Sequence, residues 1–325
     1  MTLRIGVLGA SRIAENAIVA PAAELGHRLV AVAARDPERA GVFADKYGVE
    51  RVLGSYQEVI DDAEVDVVYN PLANGLHAPW NLAAIRAGKP VLTEKPFADN
   101  REQAADVAAA ARDAGVAVLE GFHYFFHPAS QRALELARDG SVGTLRRVEV
   151  LMTMPAPPDT DPRWSLELAG GALMDLGCYG LHIMRMFSAA AGGAPQITAA
   201  TAVQRFPGVD ASCDVELALP GGVVGTSSHT MVSDAYRFTL RVIGSHGEAL
   251  VHNFIKPHDD DRITITTDDG TRVEHLGRRA SYTYQLEAFA AHVEQGAPLP
   301  LGPDDAVDNM ALIDDAYRAA GMQPR

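Results

Sequence analysis

In the first third of the chain, short apolar runs alternate with stretches of helical periodicity. Leu3–Gly9, Arg28–Ala34, Val65–Asn70, Pro90–Thr93 and Val116–Glu120 read as strands, with a weaker one near Val52. Between them, Glu38–Tyr47, Leu76–Ala87 and Arg101–Ala114 read as amphipathic helices, and Gly88-Lys89-Pro90 and Ala114-Gly115 as helix stops. Apolar strands alternating with helices predict a parallel sheet covered on both faces. After about Phe122 the pattern changes. Pro128–Asp139 reads as a crossing helix and Thr144–Thr153 as a long strand. Ile197–Arg205, Val215–Leu219, Val223–Met231, Arg237–Ile243, Glu248–His252, Arg262–Thr267 and Arg272–Leu276 then alternate with the period of strands. Turns such as Pro220-Gly221-Gly222 and Asp268-Asp269-Gly270 separate them, which predicts an antiparallel sheet. Helices are expected at about Gly171–Phe187, Tyr282–Gln295 and Pro303–Ala320. The expected class is α/β: a parallel-sheet domain over 1–122, then an α+β domain over 123–325 with an open, mainly antiparallel sheet. The last helix is placed to pack back on the first domain.

Composition narrows this picture in few ways. A chain of 325 residues suits two domains, and a hydrophobic fraction of 47% is enough for sizeable cores. A formal charge of −14 argues against nucleic acid and anionic membrane as partners. The two cysteines, Cys178 and Cys213, supply neither a disulfide framework nor a zinc-ligand spacing, and no metal is expected. They fit a reducing, cytoplasmic setting. Met1 leads directly into the first strand pattern, which leaves no room for a signal peptide. No apolar run is long enough to span a bilayer.

The first strand runs into Gly9-Ala10-Ser11-Arg12-Ile13-Ala14, a G-x-G-x-x-G/A fingerprint with serine at the second glycine. Gly9 permits the tight turn, Ser11 is small enough for backbone to approach a pyrophosphate, and Ala14 lets the helix pack on the strand. Arg12 and Ile13 stand at the helix start, where N–H groups face phosphates. Position raises a weak motif to a Rossmann dinucleotide site. The second strand ends Ala33-Ala34-Arg35-Asp36. Ala34 stands where an acidic residue would bind the ribose of NAD(H), and Arg35 can fork onto a 2′-phosphate. NADP(H) is therefore expected in preference to NAD(H). The plainer alternative makes Arg35 a solvated residue and Asp36 an N-cap ahead of Pro37.

Lys95, in Glu94-Lys95-Pro96-Phe97, stands at the carboxyl end of a strand, where ligands of open α/β sheets collect. Asp175, Tyr179 and His182, after the Gly170-Gly171 pair, stand at i, i+4 and i+7 on one helical face. Tyrosine can give a proton to a nascent alkoxide if a nearby lysine cation eases its ionisation. Asp175 is suited to orient a substrate hydroxyl or to anchor Lys95. His182 is either a substrate contact or a structural histidine. Gly177, costly inside a helix, admits a flat cofactor ring or a tightly packed neighbour. These features together suggest hydride transfer to or from a nicotinamide, with side chains moving the proton.

On these motifs the chain resembles, nearly end to end, the glucose–fructose oxidoreductase/inositol dehydrogenase/rhizopine-catabolism (Gfo/Idh/MocA) family. The likeness also takes in Asn70-Pro71-Leu72-Ala73-Asn74-Gly75-Leu76-His77, Tyr124 with His127-Pro128, and Asp305-Ala306-Val307-Asp308-Asn309-Met310. It implies a catalytic role for Lys95 and an assisting one for Asp175. Inositol dehydrogenases carry histidine where this chain has Tyr179, which is similar to dimeric dihydrodiol dehydrogenase and glucose–fructose oxidoreductase. The resemblance further implies cofactor contacts from Asn70, Pro71, Asn74, His77, Glu94, Arg163 and Trp164. Tyr124 and His182 are candidate substrate contacts. The chain departs from the family at Phe125, where many relatives have arginine, and at His123, an added polar candidate for the substrate.

The expectation is thus an NADP(H)-dependent oxidoreductase that interconverts a hydroxyl and a carbonyl on a sugar or related cyclic polyol. Its partners would be a carbohydrate-like small molecule and other copies of itself, as a homodimer or homotetramer through the C-terminal sheet. A dinucleotide-binding sensor without turnover, and a glycoside hydrolase with retained cofactor, are the alternatives.

Overall fold

The computed structural model describes residues 2–325. Two compact units form: residues up to Phe122 with Tyr282–Met310, and His123–Ser281 with Ala311–Arg325. Tyr282–Met310 thus groups with the first unit, and residues 123–325 are not one continuous domain.

In the first unit, β1 (Arg4–Leu8) leads through a π-helical turn over Glu15–Val19 into α1 (Ala20–Leu25). There follow β2 (Arg28–Ala33), α2 (Pro37–Tyr47), α3 (Tyr56–Asp61), β3 (Val67–Asn70), α4 (His77–Arg86), β4 (Val91–Thr93), α5 (Arg101–Ala114) and β5 (Val118–Glu120). The five strands pair in the order β2-β1-β3-β4-β5, all parallel. The apolar strands are buried along their length because helices cover the sheet. The weak strand near Val52 is reduced to one bridge with Val32. The short α3 escaped the periodicity reading. Its start is a capping box: Ser55 Oγ accepts the Glu58 N–H at 3.1 Å, and Glu58 Oε2 accepts the Gly54 N–H at 2.9 Å.

The second unit begins with α6 (Pro128–Leu136) and β6 (Leu145–Thr153). A π-helical turn over Leu173–Gly177 continues into α7 (Cys178–Ala190). Then come β7 (Gln196–Phe206), β8 (Val209–Leu219), β9 (Val223–Thr230), β10 (Arg237–Gly244), β11 (Gly247–Val251), β12 (Arg262–Thr267) and β13 (Gly270–His275). Helix α8 (Ser281–Gln295), apart from Ser281, and the start of α9 (Pro303–Ala319) belong to the first unit, and the rest of α9 to the second. The eight strands run in the order β13-β12-β11-β10-β6-β9-β8-β7, antiparallel except for the parallel β6–β9 pair. β8 starts well before the expected Val215. Its first half alternates through the small residues Ala211 and Cys213, which mark a strand only weakly.

One face of this sheet carries Val148, Val150, Val215, Leu217, Leu240 and Val242, all buried. Helix α7 packs against β6, β8 and β9. Two glycines set how closely it does so. A Cβ on Gly177 would press on Leu173 and the His229 ring, and one on Gly180 would collide with Ser227 Oγ. Tight packing on β9 therefore accounts for Gly177, and no cofactor ring is needed to explain it. The two β9 side chains pair with each other, Ser227 Oγ lying 2.7 Å from His229 Nε2, and burial pushes His229 down to about 4.

Gly180→Ala is expected to destabilise the protein by about 1–3 kcal/mol, as overpacking does. Gly41→Ala in α2, where a Cβ meets nothing within 4 Å, should be neutral or stabilise by up to about 1 kcal/mol. Chemical denaturation of both variants checks the contrast; equal effects would show that α7 tolerates a wider spacing.

Candidate functional site

The first unit gathers one group of candidates at the carboxyl ends of its strands. The chain leaves β1 to one side for β2 and to the other for β3, which opens a crevice between β1 and β3. Gly9 closes the turn after β1 with a φ of +90° and donates its N–H to Ala33 O at 2.7 Å. Ser11 Oγ, in the same turn, has no hydrogen-bond partner in the protein. Arg12 and Ile13 are exposed at the entry to the helix. At the end of β2, Ala34 is half-buried and Arg35 exposed. Asp36 caps α2, accepting the Glu38 N–H at 3.0 Å, as the plainer reading of that position required. Arg39, one helical turn beyond Arg35, donates from Nη2 to Ala10 O at 3.1 Å. Sequence reasoning missed it, although its spacing from Arg35 was the available signal.

The segment after β3 is held by its own side chains. Asn70 Nδ2 donates to Asn81 Oδ1 at 2.8 Å and to His77 O at 3.2 Å. The His77 ring nitrogens lie 2.6 Å from Pro96 O and 2.9 Å from Leu72 O. Burial, with a smaller contribution from the Lys95 charge, pushes His77 down to about 4. Asn70 and His77, expected at the cofactor, are wholly buried and clasp this segment to the turn after Lys95. Pro71 is buried beside them, and Asn74 opens a short 3-10 turn, Asn74–Leu76. Glu94 is 6% exposed and accepts the Tyr69 hydroxyl at 3.0 Å. Burial first, then the Glu94 charge, drives the Tyr69 and Tyr282 phenols well above their usual range. Lys95 is half-buried at the end of β4, joined to Pro96 by a cis peptide.

The second unit gathers the other group around the π-helical turn that begins α7. Asp175 Oδ2 accepts from Arg163 Nε at 2.9 Å, and Arg163 reaches Asp161 at 3.4 Å. Asp175 first, against an opposing cost of burial, raises the Arg163 guanidinium above its usual value. Asp161 caps the Pro162–Trp164 turn, and Asp161-Pro162 was a legible cap signature that sequence reasoning passed over. Trp164, expected at the cofactor, is buried, with its indole N–H donating to Pro157 O at 3.1 Å. Tyr179 is buried with its hydroxyl 3.4 Å from His123 Nε2. His182 and Tyr124 face each other, His182 Nδ1 lying 2.6 Å from the Tyr124 hydroxyl. Both are buried and are partners of each other in this structure. His123 is likewise buried, its Nδ1 held by Ser281.

A set of long-range contacts behind this group left no signal in the sequence. Asp210, on β8, accepts the Leu173 N–H at 2.7 Å, the Tyr317 hydroxyl at 2.9 Å and Arg325 Nη2 at 2.7 Å. Arg325 also donates to Gly170 O at 2.9 Å and Gly208 O at 2.6 Å. A Cβ on Gly171 would collide with Asp210 and Arg325, so glycine is required for the carboxylate to reach the helix start. Burial raises the Asp210 carboxyl against the opposing pull of these donors.

Among the described residues, no helix is long and apolar enough to cross a membrane. Residues 3–122 match an oxidoreductase family with an NAD-binding Rossmann fold, and residues 130–250 match the GFO/IDH/MocA C-terminal domain. The chain is 33% identical to a D-xylose 1-dehydrogenase (NADP(+)) of Haloferax volcanii, over 98% of this chain and 97% of that one. It is 34% identical to a dTDP-3,4-didehydro-2,6-dideoxy-alpha-D-glucose 3-reductase of Streptomyces antibioticus, over 99% and 98% of the two chains. Its structure is similar to KijD10, a 3-ketoreductase from Actinomadura kijaniata solved with NADP and TDP-benzene. The TM-score is 0.91 and the identity 28%, with 98% of each chain covered.

Arg325→Ala would strand the wholly buried Asp210 carboxylate. It is expected to cost about 3–5 kcal/mol, the usual loss on breaking a buried pair. Chemical unfolding measures this, and a loss below about 1 kcal/mol, the level of an exposed pair, would show that Arg325 does not hold the helix start.

Proposed function

Because the chain belongs to the Gfo/Idh/MocA oxidoreductase family, we propose that Lys95 and Tyr179 manage the proton of its reaction while Asp175 positions the substrate. The protein is an NADP(H)-dependent oxidoreductase that interconverts a hydroxyl and a carbonyl on sugar-like molecules. The residues of the first unit fit the dinucleotide. Gly9 supplies the turn, Ser11 Oγ is an unmatched polar atom within it, and Arg35 is exposed where a 2′-phosphate would lie. Backbone N–H groups of Ser11–Ile13 would take the diphosphate, and Arg35, with Arg39 behind the turn, would take the 2′-phosphate. When bound, the nicotinamide supplies or accepts the hydride.

The observation that carries the proton assignment is the arrangement at the start of α7. Asp175 and Tyr179 are polar groups held in an apolar setting by fixed partners, Arg163 and His123. In reduction, the Tyr179 hydroxyl gives its proton to the developing alkoxide, and Lys95 supplies a cation that favours the charged oxygen of the substrate. In oxidation, the Tyr179 phenolate takes the proton from the alcohol. Asp175, its second oxygen turned against Arg163, aligns a substrate hydroxyl.

The setting is proposed to be the cytoplasm, since the two cysteines are buried and joined in no disulfide. The outward face of the eight-stranded sheet bears exposed Val203, Val224 and Val273, and a homodimer or homotetramer formed through that face would cover them. A monomer mass by light scattering would sink the oligomer.

D-xylose, other free aldoses and nucleotide-linked keto sugars, each assayed with NADP(H) and NAD(H), test the reaction through reduced-nicotinamide absorbance. Turnover with none of them would overturn it. Arg35→Ala should weaken NADP(H) binding by about tenfold or more and leave NAD(H) almost unmoved, the loss of a charged hydrogen bond. Equal losses for both would rule out the phosphate role. Tyr179→Phe should lower kcat by roughly 10²–10⁴ with the fold intact, and an unchanged kcat would reassign the proton.

A further inference from the structure

We propose that His123, with its tautomer set by Ser281, is the positioning residue that holds the Tyr179 hydroxyl ready to give up its proton. This rests on the reading of Tyr179 given above. His123 and Ser281 are the residues at which the chain enters and leaves the second unit. Ser281 Oγ lies 2.8 Å from His123 Nδ1, and His123 Nε2 lies 3.4 Å from the Tyr179 hydroxyl. His123 and Ser281 are 0% exposed and Tyr179 5%.

Direction in this chain follows from proton counting. A neutral imidazole carries one N–H, and a hydroxyl has one proton to donate. A buried hydroxyl proton left without an acceptor is costly, and Nδ1 is the acceptor that Ser281 Oγ reaches. Ser281 therefore donates to Nδ1, which places the imidazole proton on Nε2. From there it points at the phenolic oxygen of Tyr179, and the phenolic proton is turned away from the ring. The opposite tautomer would make Nε2 an acceptor and would hold the phenolic proton against the imidazole.

In reduction the Tyr179 O–H bond breaks as the substrate O–H bond forms. The electron pair left on the phenolic oxygen accepts a stronger hydrogen bond from Nε2–H. His123 keeps its own proton throughout, so the step needs no further reactant. Two aromatic edges hold the tyrosine ring in place: the His123 ring at 6.0 Å and the Tyr124 ring at 5.9 Å. His182 Nδ1 is engaged by the Tyr124 hydroxyl. The titratable groups around Tyr179 within the unit are thus His123 and Tyr124 from the turn before α6, and Asp175 and His182 from its own helix. Ser281 adds a polar hydroxyl.

The test combines a titration with a cycle of variants. Protein labelled with [13Cζ]tyrosine, its Tyr179 signal assigned by loss in Tyr179→Phe, is titrated as wild type, His123→Leu and His123→Gln. Glutamine keeps an N–H near the Nε2 position. The Tyr179 midpoint should rise by about one pH unit in His123→Leu, the effect of losing roughly one hydrogen bond, and return close to wild type in His123→Gln. An unmoved midpoint in His123→Leu, or an equal rise in both variants, overturns the proposal. Should His123→Leu fail to fold, His123→Leu/Ser281→Ala removes the stranded hydroxyl and is read in its place. With D-xylose and NADP+, His123→Leu should lower kcat about tenfold with KM little changed, and add nothing in a Tyr179→Phe background. Independent losses that multiply would make His123 merely structural. An unchanged kcat in Tyr179→Phe alone would instead overturn the Tyr179 reading, while the titration still judges the His123–Tyr179 contact.

Discussion

The direction of α7 depends on one buried carboxylate. Asp210 accepts hydrogen bonds from Leu173, Tyr317 and Arg325. Together these fix where the helix starts and which way its first turn faces. A carboxylate removed from water is tolerated only when its oxygens are filled by donors. The Gly170-Gly171 pair lets those donors come close enough, because any side chain at Gly171 would occupy the space of the carboxylate. Below the helix the constraint is steric: Gly177 and Gly180 bring α7 down onto Ser227 and His229. With its start pinned and its underside seated, the helix has little freedom to rotate. Asp175 then meets Arg163, Tyr179 meets His123 and His182 meets Tyr124.

The first unit solves a similar problem with hydrogen bonds to its own backbone and side chains. The segment after β3 has to lie at the edge of the crevice without occupying it. Asn70 and His77 achieve this by bonding backward, to Asn81 and to the carbonyls of Leu72 and Pro96. Burial pushes the His77 imidazole down, while the two carbonyls, which only ring N–H groups can bond, pull the other way. Glu94 is similarly anchored by the Tyr69 hydroxyl. The polar residues at these strand ends therefore divide into those that shape the crevice and those, such as Arg35 and Lys95, that remain at least partly open.

This division bears on function. An oxidoreductase needs few groups that touch the reacting atoms, and each has to be held in a narrow range of geometry. Here a tyrosine is given a fixed neighbour on its oxygen, and an aspartate is fixed by an arginine that is itself gripped by Asp161. The π-helical turn over Leu173–Gly177 widens the helix at Asp175, a distortion that often marks functional positions. Several polar side chains near the candidate site serve this support, Asp161 and His123 among them.

Much of the architecture was legible in the order of residues. Period-two and period-3.6 patterns are local, so the five parallel strands and the meander of the second unit could be read directly, as could the fingerprint after β1. The capping box of α3 and the Asp161-Pro162 cap were equally local and were simply passed over. The sequence also marked Lys95, Asp175 and Tyr179 as chemistry-bearing positions, because few other arrangements place those groups at a strand end and on one helical face. It could not explain Gly177, or link Asp210 to Arg325 across more than a hundred residues. Those outcomes were decided by the tertiary structure. Which buried donor meets which buried acceptor is set by the requirement that polar groups removed from water be paired, and that requirement acts between segments that only folding brings together.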